Sequence, residues 1–522
     1  MMRLLILLLS IIVSLIGANE IYAVLNRVPP AEKQDTVVKL QMYGAARGIK
    51  TIQLYGARNE YLSVHFQIAE AHQGSFKVNI EKPGMGREID FKIYQLCWAP
   101  PGAQGLFQAD ALVPINYGIK PTGRDLEIWT TIKIPAATPP GMYRYNFVFS
   151  DNRGTYRQPV DLQVWDFVLP DDLPITILAS IHSNGIRHQG EKGLRAQENQ
   201  SLRAYLSNLR EYKINAFALD RFYPDLVNNL KPGKRVEDFP EFHEMLKYMV
   251  NDLKCRAFRV PSIALPKNMD EPGPDFIAKA KQYYPLMAEY LKRHHWEHLA
   301  LIKIVDEPKP INYPKVVQAY SLAKTLAPGI KTESAGRDPD PSLAKVIDIW
   351  VMYAKAFNPR KIDEVKKLGQ QVWLYANRLH GLDQGLADQR LIGWYLYQYR
   401  FPGYLFWGIN NWPNDPWSDM PGRNDSLRRG TFVYPNYQNP SGVPFPTTRL
   451  EEIRQGFQDY QYLTLFAAAY AQKRIAPATY NEVIRRVEDV TRGLEDLKPE
   501  VTMKELEALR YQIGVALDGA QR

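Results

Sequence analysis

The sequence predicts a two-domain protein: an N-terminal antiparallel β-sandwich, then a (β/α)8 barrel with extra C-terminal helices. Three observations predict it. Short alternating apolar segments separated by turn residues occupy positions 36–170. Beyond Pro174 the rhythm changes to an apolar run followed by a helical pattern, repeated around the remaining core. With 522 residues, 45% of them hydrophobic, the chain can bury more than one core.

The first element is a secretory signal, expected over residues 1–23. Met1-Met2-Arg3 is basic, Leu4 to Ile16 is apolar except for Ser10 and Ser14, and small residues follow at Gly17-Ala18 and Ala23. The apolar stretch is shorter than the ~20 residues of a membrane span. Neither cut site has a small residue two positions before it, so an uncleaved anchor is the alternative. No later segment is long and apolar enough to cross a bilayer. The expected location is therefore secreted or periplasmic, with no stable membrane insertion apart from the signal segment.

Residues 24–170 form the expected sandwich. Its strands are Val37 to Met42, Thr51 to Tyr55, Leu62 to Ile68, Phe91 to Leu96, Leu126 to Ile134, Tyr143 to Phe149 and Val160 to Val164. Turns such as Pro139-Pro140-Gly141 separate them, and Pro170-Asp171-Asp172-Leu173-Pro174 is the expected linker. Residues 171–475 form the expected barrel, with strands Thr176 to Ser183, Ile214 to Asp220, Arg256 to Ile263, Leu299 to Asp306, Ile330 to Glu333, Asp348 to Ala354, Gln371 to Asn377 and Gly403 to Asn410. Helical patterns lie between most of them, for example Gln197 to Tyr212, Glu241 to Leu253, Phe276 to His294 and Asp388 to Arg400. A helix from Arg449 to Gln472 follows, and residues 476–522 are a polar helical extension.

The formal net charge is +9, and removing residues 1–23 deletes one residue of each sign, Arg3 and Glu20. The cations are scattered, which gives a mildly basic surface suited to anionic polymers and no nucleic-acid footprint. The 2 cysteines, Cys97 and Cys255, fall in different expected domains, so stability comes from core size. Aromatics reach 12%, which suits sugar ligands whose apolar faces stack on rings. No phosphate loop, dinucleotide glycine pattern, His-Glu-x-x-His helix or serine elbow is present, and no cofactor or metal is expected. His294, His295 and His298 have helical spacing but precede the fourth barrel strand, and they read as a solvated helix end.

The chemistry concentrates at Asp306 and Glu307. They close the run Leu299-Ala300-Leu301-Ile302-Lys303-Ile304-Val305, and Pro308 follows at once. Two carboxyls where a buried strand surfaces are costly unless they act on something. The bland alternative is an Asp that caps the next helix with a Glu in its first turn. Adjacent carboxylates repel, so one is expected to hold a proton while the other stays charged. Barrel chemistry sits at the C-terminal strand ends, which also supply Asn184, Asp220, Glu333, Tyr353, Tyr375, Asn377, Trp407 and Asn410, with Trp412 in the loop that follows. Of these, Tyr353, Tyr375, Asn377, Trp407, Asn410 and Trp412 are the candidate substrate-binding residues beside the catalytic candidates Asp306 and Glu307. Ordinary retaining glycosidases place a second carboxylate ~5 Å from the first. The sixth to eighth strands carry no acid at their ends, and Asp415 is the nearest. An adjacent pair instead suits attack by a substrate's own 2-acetamido oxygen. Glu307 protonates the leaving oxygen and Asp306 stabilises the acetamido nitrogen. Because neighbouring strand residues face opposite ways, the backbone must turn at Asp306 for both acids to reach one sugar.

These residues resemble glycoside hydrolase family 123 and its wider group of uncharacterised relatives. The resemblance rests on Ala57-Arg58-Asn59-Glu60-Tyr61, Val305-Asp306-Glu307-Pro308, the run Gly403 to Trp412, Asp415-Pro416-Trp417, and most distinctively the stretch Arg449 to Leu463. It implies a sandwich followed by a barrel, exo-cleavage of β-linked N-acetylgalactosamine, and the acid pair at Asp306 and Glu307. The chain departs from the family pattern at Gln461, where Glu is usual. Arg449, Arg454 and Asp459 read as a buried ion network, not as chemistry. Two alternatives stand beside the acetamido mechanism. One is a two-carboxylate glycosidase pairing Glu307 with Asp415 or Glu333. The other is a non-catalytic carbohydrate-binding protein.

Overall fold

The computed structural model describes residues 37–41 and 51–521, apart from 70–74, 83, 85–87, 100–107, 120–124, 184, 187–194, 220–221, 264, 266–271, 338, 413–414, 418–427, 440–441 and 496–499. The expected signal segment lies outside the described residues.

The N-terminal strands are β1 (Val37–Gln41), β2 (Ile52–Arg58), β3 (Glu60–Ala69), β4 (Lys77–Glu81), β5 (Asp90–Ala99), β6 (Gln108–Pro114), β7 (Leu126–Ile134), β8 (Gly141–Asp151) and β9 (Gly154–Val168). They form one sheet of order β1-β3-β7-β5-β6 and another of order β2-β9-β8-β4. Strict alternation along β3 buries Leu62, Val64, Phe66 and Ile68, which meet Phe147, Phe149 and Leu162 of the other sheet. Two findings correct the sequence reading. β1 on β3 and β2 on β9 pair parallel, so the sandwich is not wholly antiparallel. β4 and β6 were not expected; both are sheet-edge strands, where only one neighbour demands pairing and the apolar alternation is short.

The eight barrel strands are β10 (Thr176–Ser180), β11 (Ala216–Ala218), β12 (Ala257–Arg259), β13 (Ala300–Lys303), β14 (Lys331–Gly336), β15 (Ile349–Tyr353), β16 (Gln371–Tyr375) and β17 (Gly403–Phe406). They close into a parallel barrel, β17 pairing back onto β10. All eight fall on expected segments, but most end earlier than the apolar runs. β13 shows why. Past Lys303 the amides of Ile304 and Val305 donate to the Tyr320 hydroxyl at 3.1 and 3.2 Å, and the Val305 carbonyl accepts from Ser334 Oγ at 3.0 Å. Side chains there replace the strand ladder. The interior is filled by Leu178, Ala218, Leu301, Ala335, Val351, Trp373, Tyr375 and Leu405, whereas Ile302 and Ile304 face the helices.

Helices follow as α1 (Arg195–Glu211), α2 (Pro224–Asn229), α3 (Pro240–Lys247), α4 (Pro274–Arg293), α5 (Tyr313–Leu326), α6 (Pro359–Lys367), α7 (Leu386–Gln398), α8 (Thr448–Ala471), α9 (Pro477–Val490) and α10 (Met503–Gly519). The expected helix from Glu241 to Leu253 is α3 plus a wide turn over Tyr248–Asp252.

α8 joins the two domains, and the family motifs meet on it. Gln458 brackets the Tyr61 backbone, accepting from its amide at 2.8 Å and donating to its carbonyl at 2.8 Å. Arg449 clasps Asp110 at 2.8 Å through two nitrogens. The Arg454 guanidinium lies 4.0 Å from the Tyr61 ring and 4.6 Å from the Tyr212 ring, and it pairs with Glu451. Asp459 binds Arg390 at 2.6 Å and Trp394 Nε1 at 2.9 Å, with Arg510 of α10 at 3.3 Å. Arg510 in turn pairs with Glu60 of the sandwich. Gly456 is required by close approach: a Cβ there would stand 2.2 Å from the Arg390 carbonyl oxygen of α7. The stretch Pro170 to Pro174 is a clamped joint. Lys213 Nζ donates to the Pro170 and Asp171 carbonyls at 3.0 Å each, and Gln461 Nε2 to those of Pro170 and Asp172 at 2.8 and 3.1 Å.

Candidate active site

The barrel mouth is built from the ends of β13 to β17. Beyond β13 the backbone turns sharply, and Glu307 takes a left-handed φ of 50°. That conformation is unfavourable for a residue with a Cβ and persists where its surroundings hold it. The Glu307 amide donates to the Ala335 carbonyl of β14 at 3.0 Å, which fixes the turn. The turn answers the geometric problem posed by the sequence, because both carboxyls now lean over the barrel. Lys303, inward-facing on β13, places its Nζ 2.8 Å from Asp306 Oδ1. Tyr353, inward-facing at the end of β15, donates its hydroxyl to Glu307 Oε1. Both acids are exposed at the mouth, the Asp306 side chain by 65%.

Tyr353 and Tyr375 form one wall, their ring centroids 4.8 Å apart. Burial comes first among the causes that push the Tyr353 hydroxyl well above its ordinary pKa, followed by the hydrogen bond and charge of Glu307. Burial likewise raises Tyr375, with Tyr353, Glu307 and Asp306 adding to it. Both phenols therefore stay protonated donors. Trp407 lies half-buried over the interior cluster. Its Nε1 donates to Asn377 Oδ1 at 2.7 Å, so these two candidates hold one another. His182 packs edge-on against Trp407 with centroids 6.1 Å apart.

Two candidates are corrected. Asn410 is fully buried, and its amide is consumed by the His182 backbone, accepting from the amide at 2.8 Å and donating to the carbonyl at 3.1 Å. Trp412 is 2% exposed in the helix-side core, with its Nε1 donating to the Val433 carbonyl at 3.1 Å. Neither can touch a ligand; both pin the loop beyond β17. Asn184 and Asp220 lie outside the described residues.

The alternative acid partners are also placed. Glu333 is buried inside the barrel and held in a fork by Arg259 at 2.8 and 2.5 Å, and Arg259 also reaches Ser180 Oγ at 3.2 Å. Asp415 caps its own loop, accepting from the Trp417 amide at 3.1 Å and the Tyr437 hydroxyl at 2.9 Å. Lys303 was missed by the sequence reading. Its signal was available: a cation inside an aliphatic strand at the inward parity of Leu301 needs a partner. The tripled histidines sit away from the mouth, His294 stacking on Trp296 at 4.6 Å.

A sandwich joined to a (β/α)8 barrel, with a carboxylate pair at the strand ends, defines the chain as a glycoside hydrolase. Residues 242–466, which hold both acids, match the family model for the glycoside hydrolase 123 catalytic domain. A family 123 glycoside hydrolase from Clostridium perfringens, described for glycolipid glycan hydrolysis, superposes with a TM-score of 0.67 at 14% identity, over 89% of this chain and 94% of that chain. At that identity the likeness establishes the fold. A GH10 xylanase from termite gut with a bacterial Ig-like domain reaches a TM-score of 0.30 at 10% identity, over 78% and 99%. An endo-β-1,4-mannanase from Thermotoga petrophila reaches 0.33 at 13% identity, over 55% and 77%. Nothing about this chain follows from those two. No curated protein matches the chain.

Proposed function

We propose that this chain is a secreted, exo-acting β-N-acetylhexosaminidase of N-acetylgalactosaminidase type that uses the substrate's acetamido group as nucleophile. The observation that carries the reading is the adjacent pair itself. Asp306 and Glu307 share one mouth, each fixed by a different inward-facing side chain. Among the described residues, the other weighed acids are occupied, Glu333 by Arg259 and Asp415 by its own loop.

Glu307 protonates the glycosidic oxygen as the acetamido oxygen attacks the anomeric carbon. The aglycone leaves with that proton, and a cyclic oxazolinium forms. Asp306 holds the acetamido N–H and offsets the positive charge that grows there. Water then attacks the anomeric carbon and gives a proton to Glu307, while the ring bond to the acetamido oxygen breaks and restores the acetamido group. Tyr353 orients Glu307, and with Tyr375 it narrows the pocket around the acetamido methyl. The glycolipid activity reported for the Clostridium perfringens relative makes a cell-surface glycoconjugate a reasonable substrate class for this enzyme.

A panel of nitrophenyl glycosides with and without the 2-acetamido group tests the reading. The expected result is cleavage of N-acetyl-β-hexosaminides only, with inhibition by a thiazoline analogue of the cyclic intermediate. Equal cleavage of plain galactosides, with no thiazoline inhibition, would move the assignment to a two-carboxylate mechanism.

A further inference from the structure

The mouth carries cations that the hydrolytic mechanism does not use. Arg337 directly follows β14. Inward-facing positions on β14 run Glu333 and Ala335, and Arg337 continues that parity one step above Ala335. The Ala335 carbonyl is the group that accepts the Glu307 amide, so Arg337 emerges beside the acid pair. Its positive charge acts on the Tyr353 hydroxyl that binds Glu307. Arg337 is exposed, and among the described residues it makes no hydrogen bond or ion pair. The acid that directly follows it, Asp338, lies outside the described residues, and the next one, Asp340, is committed to Ser342 through bonds of 2.9 and 2.7 Å. Two further cations stand on the next strand ends. Lys355 lies in the turn Ala354–Ala356 after β15, and Arg378 in the turn Asn377–His380 after β16. Among the described residues neither forms a hydrogen bond or ion pair through its side chain.

The proposed chemistry taken alone gives these cations no role. They become useful when the substrate brings a negative charge of its own. A guanidinium matches a carboxylate or sulfate through two parallel hydrogen bonds. Such a substrate would neutralise Arg337 on binding. The excess of +9 across the chain acts in the same direction, by drawing anionic polymers to the surface.

We infer that the active site is built for an acidic amino-sugar glycan, with Arg337 binding a sulfate ester or carboxylate on the sugar being cleaved or on its neighbour, and Lys355 and Arg378 flanking it. The inference rests on the proposed acetamido mechanism and names the substrate class of that same site.

The test compares kcat/KM for an uncharged nitrophenyl N-acetyl-β-hexosaminide, the same sugar bearing a 6-O-sulfate, and a disaccharide with a uronic acid at its reducing end. One of the anionic substrates is expected to be preferred by about tenfold or more, and which one identifies the group bound. Arg337→Ala should cut that preference by about tenfold, mostly through KM, and Arg337→Lys should restore part of it. Raising the salt from about 50 to about 500 mM should weaken the preference in the same direction. Equal turnover of charged and uncharged substrates, or a preference that Arg337→Ala leaves intact, overturns the inference. Binding to the Glu307→Gln protein, followed by calorimetry, separates this failure from that of the mechanism. If the wild type cleaves no acetamido glycoside but Glu307→Gln still binds the sulfated sugar in preference to the neutral one, the mechanism falls and the anion subsite stands.

Discussion

The α8 interface and the barrel mouth are opposite solutions to the placing of charge. Along α8, Arg449, Arg454 and Asp459 are almost wholly buried; Arg449 and Asp459 pair with charges on other elements, and Arg454 pairs with Glu451 of its own helix and lies over the Tyr61 and Tyr212 rings. At the mouth, Asp306 and Glu307 stand exposed on a short irregular turn, Asp306 paired with Lys303 and Glu307 with Tyr353. The long distinctive motif therefore serves cohesion between domains, and the proposed chemistry rests on a two-residue signature. Buried charge needs many specified partners, which leaves a long trace in sequence. A catalytic pair needs only the correct turn beneath it.

The sharpest break between the regions comes from one substitution in each. Glu307→Gln removes the proton donor while keeping shape and the Tyr353 contact. The expected loss in kcat is about a thousandfold or more on an unactivated glycoside. The melting temperature should stay close to that of the wild type. Retention of most activity would remove Glu307 from the mechanism. Asp459→Ala does the reverse, since it removes the buried carboxylate shared by Arg390 and Arg510 and leaves them Glu507 and Glu60. A destabilisation of about 3–5 kcal/mol is expected by chemical denaturation, with kcat of the folded fraction close to normal. If Asp459→Ala abolished turnover without loss of stability, the division of labour drawn here would be wrong.

Sequence made the two regions legible to different depths. The eight barrel strands were readable because buried parallel strands are continuous apolar runs. Their ends were not, because side chains such as Tyr320 and Ser334 take over the ladder where apolar residues continue. Asp306 and Glu307 were readable from the cost of surfacing two acids together. Asn410 and Trp412 misled for a common reason: a polar or aromatic residue near a strand end can point into the mouth or down into the loop, and residue type alone does not say which. Here the amide of Asn410 matches both groups of the His182 backbone, and that contact lies across the barrel closure, far away in sequence.

A milder test addresses the joint between the domains. Gln461 donates to two carbonyls, whereas an ionised Glu in its place could donate to neither. Gln461→Leu leaves the Asp172 carbonyl without its donor, while Lys213 still serves Pro170. A loss of about 1–3 kcal/mol is expected, with the catalytic constants retained. A neutral outcome would mean that water replaces the amide and that the joint is looser than its bonds imply.

The smallest effect concerns pH, and it links the two regions. His380 ends the turn that carries Asn377, and Arg449 of α8 donates to its carbonyl at 2.6 Å. Its ring lies between Phe406 and Phe432, each 5.1 Å away, with Nε2 on the Tyr404 hydroxyl at 2.6 Å. Burial first, and then the Arg449 charge, pushes this histidine down to about 3. The unfolded chain takes up the proton near the ordinary value of about 6.5. The neutral ring thus contributes its full stability above that pH, and the contribution falls as pH drops toward 3. Between pH 7.5 and 5.5 the loss from this one group is about 1.4 kcal/mol. Urea denaturation of the wild type and His380→Phe at both values isolates it, because the carboxylates titrate alike in each protein. The wild type should weaken more than the variant by about that amount. Parallel pH profiles would show that the ring accepts a proton without leaving its pocket, and that acid does not loosen the Asn377–Trp407 side of the mouth through this residue.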